Sequence, residues 1–209
     1  MTTKTVLLAA AFATAIAGGA SAATVVNGSF EQTPGFSGKR NWQVYKSIEG
    51  WTTSNGAGME IQSNATLRGI DAHQGNHYVE LDSHGRNSNS TITQSIAFKA
   101  GTYDLSFYYA PRTTSDHTNG IQFSVGDYLL DQVAGPSGLF IRQSWAQVTR
   151  RFEVKEAGIY NLSFSAIGKQ DTYGGLIDNV SISAVPLPAS AFFLLGGLGL
   201  FGAFRRKST

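Results

Sequence analysis

Cysteine is absent from this 209-residue sequence, which excludes disulfide bracing, thiolate zinc sites and cysteine nucleophiles. Charge is scarce: Asp, Glu, Lys and Arg make up 14% of the chain, where ordinary globular proteins carry about a quarter. With 42% apolar and 11% aromatic residues, the composition is that of a packed domain rather than a disordered chain. Setting aside Lys4 and the terminal Arg205, Arg206 and Lys207, 12 basic residues stand against 14 acidic ones, a balance of −2. That interior has no basic field for nucleic acid. No His-Glu-x-x-His and no Gly-x-Ser-x-Gly stretch occurs, so two common hydrolase signatures are missing.

The two ends read differently from the middle. Lys4, the uncharged run Val6 to Ala17 and the small residues Ala20-Ser21-Ala22 predict a signal peptide over 1–22, removed by signal peptidase. At the other end Val185-Pro186-Leu187-Pro188-Ala189 precedes an uncharged run and then Arg205-Arg206-Lys207. The pattern predicts a membrane helix over about 187–204 with its basic end in the cytoplasm. This tail resembles the PEP-CTERM sorting signals in their VPLPA form, with Leu187 where the usual motif has Glu. The resemblance implies a Gram-negative bacterium and an inner-membrane intermediate. It also implies an exosortase-type transpeptidase as partner and delivery to the cell surface or outside. A simple uncut anchor is the alternative.

Residues 23–184 predict one all-β domain. Alternating stretches recur at His77–Leu81, Ser90–Phe98, Thr102–Ala110, Gly120–Val125, Tyr128–Val133, Ser144–Val154, Ile159–Ile167 and Leu176–Ile182, with Gly, Asn, Asp and Ser between them. Many short strands at this spacing predict a β-sandwich. Leu176, Asp178, Val180 and Ile182 fall on one face by parity, which puts an acid among apolar side chains.

The ordered motifs Asn27-Gly28-Ser29-Phe30-Glu31, Trp51, Gly75 to Asp82, Ile92 to Ile96, Gly101 to Ala110 and Leu176 to Ile182 carry a second resemblance. The domain resembles the galactose-binding-like jelly rolls, and among them the plant cell-wall domain family and its bacterial choice-of-anchor C relatives. The plant members carry cysteines, which this chain lacks. The resemblance implies a jelly-roll β-sandwich. It also implies one structural calcium ion held by Glu31 and Asp178, whose rival is a capped acid and a turn Asp.

Sugar rings stack on aromatic side chains while polar groups meet their hydroxyls. The candidates for such contact are Trp42, Tyr45, Tyr109, Arg112 and Tyr173; Trp51 and Trp145 are expected in the core. Glu80 and Asp82 share a strand face, where acids are solvated or paired with a basic neighbour. The sequence thus predicts an exported, non-enzymatic surface or extracellular-matrix protein that associates with polysaccharide. The alternatives are a structural or adhesive matrix protein with protein or self partners, and a polysaccharide-active enzyme.

Overall fold

The computed structural model describes residues 23–36, 40–64, 66–135 and 142–186. The expected signal peptide, the membrane helix and the tail from Leu187 to Lys207, including Pro188, Ala189, Arg205 and Arg206, lie outside the described residues. Twelve strands and no helix occur among those that are described. They are β1 (Trp42–Tyr45), β2 (Ser47–Ile48), β3 (Trp51–Asn55), β4 (Met59–Ser63), β5 (His77–Glu80), β6 (Thr91–Phe98), β7 (Gly101–Pro111), β8 (Gly120–Val125), β9 (Leu129–Val133), β10 (Ala146–Val154), β11 (Gly158–Ile167) and β12 (Gly175–Ala184). One six-stranded sheet runs β1-β4-β5-β12-β7-β10, the other β2-β3-β6-β11-β8-β9, and the paired strands are antiparallel. The eight predicted strands are all present. The two sheets form the jelly-roll sandwich.

Side-chain alternation decides what the sandwich encloses. Tyr103, Leu105, Phe107 and Tyr109 from β7 meet Leu162 and Phe164 from β11 and Ile121, Phe123 and Val125 from β8, all buried. Phe107 packs edge-on against Phe123 at 4.9 Å and Phe164 at 5.1 Å, and Phe164 in turn meets Trp51 at 6.1 Å between ring centroids. Gln94 points inward on β6 and stays satisfied because its amide pairs with both backbone groups of Val26, at 2.7 and 2.9 Å. A polar residue therefore extends the sheet to the N-terminal segment.

The parity reading of the last strand needs one correction. The register shifts between Asp178 and Ser181, and Asn179 takes φ 50. This bulge inserts an extra residue and reverses the alternation. Val180 and Ile182 enter the main core, whereas Leu176 joins Ile70, Tyr78 and Ala110 in a second small cluster. Leu67, Ala72 and Trp145 pack against that cluster from outside. Trp51 is core, as expected, while Trp145 is only partly buried.

All twelve strands of the described residues and both clusters lie within residues 23–184. Truncating Phe164 removes the ring that joins Trp51, Phe107 and Phe123. Phe164→Ala is expected to cost roughly 3–5 kcal/mol, read as a lowered midpoint in urea unfolding of Ala23–Ala184.

Candidate functional site

The site grows from β4 and β5. Met59, Ile61 and Val79 take the core face, so Glu60, Gln62, Tyr78 and Glu80 share the other face. In the antiparallel register Glu60 stands opposite Glu80 and Gln62 opposite Tyr78. Glu80 has no solvent exposure and needs a donor on each oxygen. Its Oε1 accepts from the Gly174 N–H at 2.6 Å, and its Oε2 accepts from Gln62 Nε2 at 2.6 Å and from Arg112 Nη1. Glu60 accepts from Gln62 Nε2 at 2.8 Å and from the His84 N–H at 2.8 Å. Burial pushes the Glu80 carboxyl above the usual carboxylate range, against the pull of Arg112 and Gly174, and Glu60 adds to the push.

Two further contacts build the walls. Asp82, also buried, accepts from the N–H groups of Asp171 at 3.1 Å and Tyr173 at 3.2 Å. Arg112 donates to the Thr172 carbonyl at 3.0 Å and lies 4.8 Å from the centre of the Tyr173 ring. The loop 171–174 is thereby held from beneath by three side chains, and Tyr173 projects from it, 51% exposed. Across the gap stands Trp42 on β1, with the His84 ring at 5.2 Å and the Arg40 guanidinium at 4.9 Å. The cleft between them encloses about 250 Å³ and is floored by Glu60, Gln62 and Arg112. A neighbouring groove of about 370 Å³ shares Trp42 and His84, so the tryptophan stands between two hollows.

Three of the five predicted sugar-contact residues, Trp42, Arg112 and Tyr173, meet in this cleft. Tyr45 and Tyr109 do not. Tyr45 turns into the main core and donates to the Gly35 carbonyl at 2.6 Å. Tyr109 is wholly buried, with its hydroxyl on the Asn119 carbonyl at 2.8 Å. Glu60, Gln62 and His84 escaped the sequence reading. The alternation Met59-Glu60-Ile61-Gln62 was the available signal.

The structure brings Glu31 and Asp178 to one loop, residues 73–77. Glu31 Oε1 accepts from the N–H groups of Asn76 and His77, both at 2.8 Å, and its Oε2 lies 3.5 Å from His77 Nδ1. Asp178 accepts from the N–H of Gln74 at 2.9 Å and of Asn179 at 2.6 Å. Gly75 is required here: at φ +76, a Cβ would collide with the Glu31 carboxylate. Each carboxylate is met here by two backbone N–H groups, whereas a calcium shell gathers six to eight oxygens. N–H groups supply the positive charge that the calcium expectation gives to an ion. Nearby carbonyls are engaged too, Asn76 O by Asn64 N and Gly28 O by Val180 N. No group of three His, Asp or Glu side chains fit to hold a metal occurs among the described residues.

Comparison with known proteins gives two matches along the sequence. A family model described as "Protein of unknown function (DUF642)" matches residues 23–183, and the PEP-CTERM protein-sorting motif matches residues 184–207. No curated protein matches the chain. Among solved structures it is similar to TmCBM61 in complex with β-1,4-galactotriose (20% identity, 78% of this chain and 99% of that one, TM-score 0.43). It is also similar to a family 35 carbohydrate-binding module from Clostridium thermocellum (17%, 69% and 98%, 0.44). A third is the K1 cleaved adhesin domain of Lys-gingipain from Porphyromonas gingivalis W83 (18%, 71% and 100%, 0.46).

The Glu31–Asp178 loop yields a test. Burial pushes the Asp178 carboxyl up to about 7, against its backbone donors and helped by Glu31. The folded value lies above the ordinary one of about 3.9, so the protonated acid favours the fold. Stability from this group is greatest below about pH 4, falls as pH rises towards about 7, and is level above it. Asp178→Asn is expected to flatten that part of the unfolding profile of Ala23–Ala184. Millimolar calcium is expected to leave the midpoint unmoved, and a calcium-dependent rise lost in Asp178→Asn would reinstate the ion.

Proposed function

Since this chain belongs to the DUF642 family and ends in a PEP-CTERM protein-sorting motif, we propose that it is an exported surface or matrix protein that holds polysaccharide in the Trp42–Tyr173 cleft. The observation that carries the reading is the pair of partly exposed rings that line one cleft with a buried polar floor. Ring faces take the C–H faces of a sugar, and a fixed polar floor selects its hydroxyls. An exosortase-type transpeptidase acting on the tail is the delivery partner in this reading.

Binding without catalysis is favoured by the state of the acids. Glycoside hydrolysis needs two carboxyl groups free to reach the glycosidic bond. Glu60 and Glu80 share the Gln62 amide, Glu80 Oε2 also accepts from Arg112, and the remaining oxygens accept from backbone N–H groups. They serve as clamps on their neighbours.

Affinity electrophoresis of Ala23–Ala184 through gels containing neutral polysaccharides tests the reading. Retardation by at least one is expected. Trp42→Ala and Tyr173→Ala should each weaken it about tenfold, equivalent to about 1.4 kcal/mol, with unchanged circular dichroism and melting. Free migration in every gel would refute the binding. In the parent bacterium, deleting residues 185–209 is expected to move the exported protein from the cell envelope into the medium. Unchanged fractionation would remove the sorting role of the tail.

A further inference from the structure

Gln62 is completely buried, yet its side-chain oxygen has no hydrogen-bond partner. The amide cannot be turned to correct this. Its nitrogen lies between two carboxylates, at 2.8 Å from Glu60 Oε1 and 2.6 Å from Glu80 Oε2. Reversal would set the amide oxygen against both acids, so the hydrogen-bond network fixes the assignment. A buried acceptor without a donor is costly. Gln62 also lines the cleft.

The charges around it differ in depth and in how far they are already paired. Glu60 and Glu80 lie at the floor, buried. Arg112 is engaged by Glu80 and by the Thr172 carbonyl, with Tyr173 beside it. Arg40 stands outside, exposed, against Trp42. His84, also exposed, gives its N–H to Glu60.

We propose that Gln62 Oε1 is the specificity-determining acceptor of this cleft and that the site takes neutral, hydroxyl-rich saccharides in preference to acidic ones. The proposal rests on the saccharide-binding reading and deepens it. A sugar hydroxyl gives Gln62 the proton it lacks and brings no charge. A carboxylate or sulfate has no proton to give, and it enters a space already bounded by two buried acids. Rejection of this kind is stronger than a missing contact, because the site's own polar group stays unpaired. Glu60 and Glu80 act as positioning residues: they hold the amide nitrogen, which leaves the oxygen for the ligand.

The experiment is a titration of Ala23–Ala184 at physiological salt with hydroxyethyl cellulose, galactan and dextran, each beside its carboxymethylated form. Wild-type protein is expected to bind at least one neutral polymer, with the carboxymethylated partner bound at least tenfold more weakly. Gln62→Met keeps the length and apolar stem but removes the acceptor. It should lose the neutral polymer by a similar factor and narrow the gap between the two forms. Because this change also frees the two carboxylates and can weaken the fold, a second readout uses wild-type protein. The side-chain amide resonance of Gln62 should shift on titration with the neutral polymer. Equal binding of the two forms, or an unmoved Gln62 amide in a protein that does bind, overturns the proposal and leaves the binding reading standing. Failure of wild-type protein to bind any polymer overturns both.

Discussion

A carboxylate sealed from water keeps its place only where each oxygen finds a donor, and Glu80 finds three in three parts of the chain. Gln62 comes from β4, Arg112 from just beyond β7, and the Gly174 N–H from the loop that leads into β12. Glu80 thus reaches partners up to 94 residues away along the chain. Each of those partners then acts at the cleft: Gln62 offers its oxygen, Arg112 supports the Tyr173 ring, and Gly174 anchors the Tyr173 loop. The cleft is therefore not a gap left by imperfect packing. Its walls are positioned by a buried polar network, in which Gln62 Oε1 and Asp82 Oδ1 are left without a hydrogen-bond partner.

The sheets themselves were largely legible in the sequence. Tyr103, Leu105, Phe107 and Tyr109 alternate without interruption through the longest strand, and a period of two has one physical meaning. The same parity assigns Tyr109 to the core along with Phe107, so its place among the sugar-contact candidates conflicted with the pattern that predicted its strand. The first third was harder to read. Strands β1 to β4 have two to five residues each, and Gly50, Gly56 and Gly58 break the pattern between them. Tyr45 is a sugar-contact candidate by residue type, whereas it is the last residue of β1 and turns inward.

What the site requires was only partly legible, because it depends on pairings the chain order does not display. Arg112 and Tyr173 were readable as residue types suited to sugar contact. That they meet Trp42 follows from the order β1-β4-β5-β12-β7, which sets distant segments side by side. The bulge at Asn179 left no mark in the alternation, so Asp178 seemed to face the apolar core. Its actual surroundings are backbone N–H groups, as are those of Glu31. Both acids sit where the motif resemblance suggests, and what surrounds them is what determines their chemistry.

One feature of β12 bears on how such a domain would carry load. The strand is flanked by β5 on one side and β7 on the other, and its pairing with β7 reaches Ala184, after which the Val185 N–H still bonds the Thr102 carbonyl at 2.8 Å. The sorting motif begins at that point. A pull along the strand from this end strains the β7 ladder all at once, in shear, instead of opening it one bond at a time. The chain thus leaves the sandwich still paired with β7, so a pull on it loads that whole ladder.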